Sequence, residues 1–195
     1  DQLKVCIVSR GYGRKTRGFR WVQVDDQSVE VGDEPLFYKK RFGDKVKIAV
    51  GERRSEAVKR VLHEEDSVSL FLLDDAFQHR AVRCGLSILL TEYQKPFFKD
   101  QVLPTGNLRE FSHNKKRADL VIVTKCPPEL SLQEKEDFRL RLKMREKPVF
   151  FSRIVYGQPL GFNGSKWDSP EQVLVVTGIA NPEPMIQYVS AMAKT

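Results

Sequence analysis

Six short apolar runs set the strongest limit on what this chain can fold into. LKVCIVS (Leu3–Ser9), VKIAV (Val46–Val50), VSLFLL (Val68–Leu73), LSILLT (Leu86–Thr91), DLVIVT (Asp119–Thr124) and QVLVVT (Gln172–Thr177) are nearly uninterrupted. Runs of this length, rich in Val, Ile and Leu, read as strands buried on both faces, the habit of parallel sheets covered by helices. The segments between them carry helical signals. In Glu52–His63, the residues Ala57, Val58, Val61 and Leu62 form one apolar stripe. Ser131 and Glu134 have capping-box spacing, with Phe138 and Leu142 one turn apart behind them. Asn181 followed by Pro182 is a helix start, an N-cap and then a proline whose missing N–H costs nothing there. The alternation predicts an α/β fold with a mainly parallel sheet flanked by helices.

Two stretches depart from that rhythm. Arg17–Pro35 alternates apolar and polar residues and reads as a hairpin or an irregular insertion. Residues 157–171 are rich in Gly, Pro and Ser and read as a linker or elaborate turn. The expected organisation is therefore a main body over 1–156, the linker, and the start of a C-terminal unit over 172–195.

Charge narrows the partners. The 195 residues carry a formal net charge of +7, which suits an anionic partner such as a phosphorylated small molecule, an acidic lipid surface or a nucleic acid. Much of it is local, in RGYGRKTRGFR (Arg10–Arg20) and HNKKR (His113–Arg117). No nucleic-acid motif accompanies it. Cys6, Cys84 and Cys126 are far apart with no CxxC pair, so neither a zinc site nor a disulfide framework is indicated, and a reducing cytoplasm is the simplest compartment. The sequence has no run long enough to span a membrane and no signal peptide. It opens at Asp1, almost directly in a strand, and reads as a fragment.

The chemistry concentrates where VSLFLL stops. Asp74 and Asp75 end that strand, and Gln78, His79 and Arg80 follow at once. Ligands of open parallel sheets collect at the carboxyl ends of the strands. Adjacent side chains on extended backbone point to opposite sides, so one acid can face a ligand and the other its support. A carboxylate there suits Mg²⁺, which prefers hard oxygen ligands, and an apolar strand ending in Asp is the Walker B arrangement. The competing structural role is capping of a following helix, for which Asp is favoured. His79 alone fits a packed or solvent-facing imidazole, and Arg80 a surface charge. Asp33 and Glu34 of GDEP precede a helix-like stretch, where a helix N-terminus favours negative charge. SRGYGR after the first strand offers flexible backbone with cations, but no G-x-x-x-x-G-K-[ST] occurs in the chain. GERRSEA (Gly51–Ala57) and LPTGNLRE (Leu103–Glu110) bring arginines, whose planar forks suit phosphate. Acids for a metal and arginines for phosphates make a phosphoryl-transfer inventory.

In this order, SRGYGRKTRG, GDEP, VGERR, LLDDAFQHR, LPTGNLRE, RADLVIVTKCP and VTGIANP strongly resemble the tetraacyldisaccharide 4′-kinase family of lipid A biosynthesis, over essentially the whole chain. DDAFQHR resembles the family form D-D-G-[FL]-Q-H-R, with Ala76 in place of glycine, and LPTGNLRE the form L-P-A-G-x-L-R-E. The resemblance implies a P-loop NTPase-like α/β kinase, incomplete in this chain, with ATP and Mg²⁺ as cofactors. It implies transfer of the γ-phosphate to the 4′-hydroxyl of an acylated disaccharide 1-phosphate at the cytoplasmic face of the bacterial inner membrane, and no nucleic-acid partner. By position, Asp33 matches the general base and His79 joins it as a catalytic residue. Asp74 and Asp75 match the acids that manage the metal, and Arg54, Gln78, Arg109 and Glu110 match positions lining the nucleotide and metal site. It also implies a P-loop before Leu3 and a histidine-containing motif after Thr195, so the chain is read as an internal piece with little activity of its own. The alternatives are a non-catalytic kinase-derived scaffold and an anion- or nucleic-acid-binding domain.

Overall fold

A computed structural model describes residues 3–144, 146–161, 164–165, 172–179 and 181–192. Its first sheet is built from β1 (Val5–Ser9), β2 (Arg20–Trp21), β3 (Val46–Val50) and β4 (Leu70–Leu73), in the order β2-β3-β1-β4. β1 runs parallel to both β3 and β4, with Ile7 opposite Ile48 and Leu72, while the two-residue β2 pairs antiparallel with β3. The second sheet is fully parallel, β5 (Ile88–Glu92), β6 (Leu120–Thr124) and β7 (Val149–Phe151), in that order. Five of the six apolar runs thus form strands. The sixth, Gln172–Thr177, forms none, and its Leu174 and Val176 are almost fully exposed.

Alternation along β1 feeds two cores at once. Cys6 and Val8 face one side with Ala49, Ala57, Val61 and Val68, closed by α3 (Arg54–Glu64). Ile7 faces the other with Val22, Val31, Leu36, Ile48 and Val50, covered by α1 (Ser28–Val31) and α2 (Asp33–Phe42). A strand buried on both faces has no polar positions to spare, which is why its sequence shows no alternation. The second sheet packs Val121, Val123 and Val149 against Phe138 and Leu142 of α4 (Leu132–Leu142). Phe138 sits among Tyr93, Phe98 and Phe151 with centroid separations of 5.4, 5.4 and 6.0 Å. Both halves of the α4 capping box form: Ser131 Oγ accepts from the Glu134 amide, and the Glu134 carboxylate accepts from the Ser131 amide.

The stretch Arg17–Pro35 is an irregular connection rather than a hairpin, since β2 pairs with β3 across the sequence and α1 follows. At the C-terminal end, α5 (Glu183–Met192) forms, but it starts one residue later than the Asn-Pro signal predicts. The Pro182 carbonyl accepts the first helical bond, from the Ile186 amide at 2.9 Å, so Pro182 and not Asn181 holds the cap position. Tyr188 of α5 stacks on Tyr156 and donates to the Gly157 carbonyl at 3.1 Å. Of the expected linker, residues 162–163 and 166–171 lie outside the described residues. Along β4 and β5, Leu70, Leu72, Ile88 and Leu90 are left exposed, and each of these two strands is an outer member of its sheet.

Candidate active site

Three parallel strands end at the same edge of the first sheet. The Gly51 amide donates to the Ser9 carbonyl at 3.0 Å, and the Asp74 amide to the Val8 carbonyl at 3.1 Å. The loops leaving β1, β3 and β4 therefore start side by side. Arg14, nearly fully buried, staples two of them: its guanidinium pairs with Glu52 at 2.6 Å and donates to the Gly18 carbonyl at 2.6 Å. Arg54 ties the third. Only 2% exposed, it donates to the Gly51 carbonyl at 2.7 Å and, at 3.5 Å, to the Asp74 carbonyl. Burial, and then the neighbouring charge of Arg10, push its pKa down.

Asp33 enters through a close backbone approach. Gly32, at φ +94, lies so near Gly11 that a side chain at Gly32 would place its Cβ 3.0 Å from the Gly11 Cα. That contact sets the β1 loop against the first turn of α2, which presents Asp33 and Glu34. Desolvation, then the charges of Asp74, Asp75 and Asp33, hold the Glu34 carboxyl above the usual glutamate range. Four acids on two segments thus share one electrostatic field.

No helix follows β4. Residues 74–87 run as turns and bends, so neither Asp74 nor Asp75 is a helix cap. The two acids separate as adjacent residues on a strand end should. Asp74 is half-buried, and its Oδ2 is buried with no hydrogen-bond partner. Asp75 is exposed, sits at φ +44, and pairs with Arg109 at 2.6 Å. His79 is partly buried; burial, then Arg54 and Arg10, lower its pKa against the opposing pull of Asp75, which favours the neutral imidazole. Gln78 is exposed in the same turn.

Arg109 and Glu110 arrive on a loop folded around Asp100. Its Oδ1 accepts from the amides of Gln101 (2.7 Å) and Asn107 (3.1 Å), and its Oδ2 from the Asn107 side chain (3.3 Å). Gly106 packs so tightly there that a Cβ would fall 2.3 Å from Asp100 Oδ1. Glu110 accepts from Arg117 at 2.5 Å and Asn114 at 2.9 Å, and lies 3.7 Å from Arg80. Sequence reasoning passed over Asp100, and placed Arg117 only in a basic cluster; an aspartate seven residues before Asn107 carries no local signature.

Among the described residues, no three His, Cys, Asp or Glu side chains converge as a ready-made metal cage. A partnerless, buried carboxylate oxygen amid other acids nevertheless fits a hydrated Mg²⁺, which needs only one or two protein carboxylates. Arg109, paired with Asp75, and Arg10, whose charge is felt at His79 and Arg54, suit an anionic ligand bound with it.

A family profile described as tetraacyldisaccharide-1-P 4′-kinase, LpxK, matches residues 1–194. The chain belongs to this kinase family. LpxK relatives include the tetraacyldisaccharide 4′-kinases of Cytophaga hutchinsonii, 43% identical over 191 residues, and Bacteroides fragilis strain YCH46, 38% identical over 199. These alignments cover 97% and 96% of this chain but 54% and 53% of the relatives. The chain thus spans about half the length of the curated relatives it matches. A crystal structure of LpxK from Aquifex aeolicus in complex with ATP is 36% identical, with a TM-score of 0.60 over 76% of this chain and 44% of that one. Among the described residues, no helix is long and apolar enough to cross a membrane.

Proposed function

We propose that the protein carrying this chain transfers the γ-phosphate of ATP to the 4′-hydroxyl of a tetraacyldisaccharide 1-phosphate in lipid A biosynthesis. Residues 1–156 supply the central part of its nucleotide and substrate domain, and 172–195 begin a C-terminal unit. The observation that carries the reading is Asp74, whose buried Oδ2 has no partner of its own at the end of β4. Asp74 and Asp75 would hold Mg²⁺, and the ion, when bound, would neutralise charge on the phosphate oxygens.

The remaining steps belong to the chain's own side chains. Asp33, exposed in the first turn of α2, accepts the proton of the sugar hydroxyl. Neutral His79 donates or accepts a hydrogen bond beside the acids without adding a competing positive charge. Arg109 offers donors to the phosphates, with Gln78 and Glu110 lining the same rim. Arg54 supports the site from beneath through the Gly51 and Asp74 carbonyls. The net charge of +7 favours an acidic substrate and docking at the anionic cytoplasmic face of the inner membrane.

The test is a kinase assay on the full-length gene product with Mg-ATP and tetraacyldisaccharide 1-phosphate. Product should form, and Asp33→Ala and Asp74→Ala should each lower kcat by roughly 100-fold or more. Mg-ATP binding without any transfer would instead favour a kinase-derived scaffold.

A further inference from the structure

Arg117 reads in sequence as one of several basic residues in HNKKR, yet its guanidinium spans two loops of the site. Nη1 donates to the Phe77 carbonyl at 2.9 Å, and Nη2 meets Glu110 Oε1 at 2.5 Å. The guanidinium carbon also lies 4.5 Å from the centre of the Phe77 ring. We propose that Arg117 is a positioning residue, whose guanidinium clamps the turn that follows Asp74 and Asp75 to Glu110 and so fixes the acids relative to Arg109.

Three features single it out. The turn after β4 has no regular structure of its own, and Asp75 within it holds a left-handed backbone conformation. A non-glycine residue persists there only when its surroundings over-determine it. Among the described residues, the other ion pairs between this turn and the Arg109 loop are Asp75 to Arg109, with side chains 62% and 60% exposed, and Arg80 to Glu110, at 3.7 Å with Arg80 66% exposed. Such pairs are too weakly held to lock two loops. Arg117 and Glu110 are better shielded, at 34% and 19% exposure.

The anchor is also firm. Arg117 closes the 3₁₀ turn Ser112–Arg117, and the next residue, Ala118, is fully buried in the core beneath β6. Its neighbours offer no substitute: Lys115 is engaged with the Leu142 carbonyl and the Phe97 ring, and Lys116 is exposed. A lysine at 117 would keep the charge but lose the planar fork that reaches a carbonyl and a carboxylate at once.

The catalytic consequence rests on the kinase reading above; the clamp does not. Hydrogen–deuterium exchange of the nucleotide-free, full-length gene product reads the clamp directly. Arg117→Ala should speed exchange about tenfold in both 74–80 and 106–111, while β1 and β3 keep wild-type rates. Arg117→Lys should give the same pattern at smaller amplitude, and millimolar guanidinium should restore protection to the alanine variant. Faster exchange in one loop alone, in neither, or throughout the protein in both variants would overturn the proposal. In the kinase assay, both variants should lose kcat, about tenfold for Arg117→Ala, with KM for the lipid within about twofold. Wild-type kcat in a variant whose loops exchange faster would refute the positioning role. A wild-type protein without kinase activity would sink the proposed function, and the exchange pattern would still decide the clamp.

Discussion

Replacing Gly32 by alanine is the sharpest probe of how Asp33 is placed. At φ +94 and ψ 154 the backbone is in a region that is essentially reserved for glycine, and holding alanine there costs about 1–3 kcal/mol. The added Cβ would also lie 3.0 Å from the Gly11 Cα, 3.1 Å from its carbonyl carbon and 3.1 Å from the Tyr12 oxygen. All three are backbone atoms, which cannot rotate away, so overpacking adds about 1–3 kcal/mol. The expected loss is therefore about 2–6 kcal/mol. Gly13→Ala is the control. Its φ of +78 also favours glycine, but an added Cβ there would meet nothing within 4 Å, so only strain of about 1 kcal/mol applies. Urea denaturation of both variants, compared at unchanged m-value, measures the difference. If Gly32→Ala costs no more than Gly13→Ala, the close approach of the two loops does not set the position of Asp33.

Glu34→Gln should raise the melting temperature at neutral pH and leave it unchanged near pH 4. Desolvation and the acids around it raise Glu34's folded pKa, so its ionisation subtracts stability as pH climbs through the unfolded and then the folded value; below both, the residue is protonated in either state. A pH series by differential scanning fluorimetry gives the answer, and an equal gain at acid pH would contradict the cause. Arg109→Ala should cost at most about 1 kcal/mol of stability, because its pair with Asp75 is exposed, yet lower kcat in the kinase assay. Phe138→Ala should cost about 3–5 kcal/mol by chemical denaturation, since the ring is packed among Tyr93, Phe98 and Phe151 with Leu142 beside it.

β1 and β3 were legible because burial on both faces leaves an unmistakable trace: VCIVS and the apolar end of VKIAV have almost no polar position to confuse the pattern. β4 and β5 carry the same apolar runs but are outer strands, so the burial on both faces that those runs predict does not hold for them. The capping box at Ser131 was equally plain, and the start of α5 was legible to within one residue, since each depends on residues a few positions apart. What escaped was non-local. β2 is two residues long and exists only through its register with β3, and β7 follows a helix with three residues of its own. Gln172–Thr177 has the composition of a strand, but composition supplies no partner. In the site, the paired acids announced themselves by ending an apolar run. Their division of labour did not: Asp75 owes its ion pair to Arg109, 34 positions away, and Asp74 its partnerless oxygen to the way the turn between them folds.

The uncovered leucines and isoleucine of β4 and β5 set terms for handling this chain in solution. An outer strand offering free backbone groups beside apolar side chains is a template for pairing with any similar strand. Leu72 and Leu90, 48% and 61% exposed, lie on such strands, so concentration should drive self-association sooner than loss of fold does. A gatekeeper lysine at either position would oppose that pairing. The same charge would also bar a further strand from settling there, so dispersal in the test tube and growth of the sheet compete for the same two residues.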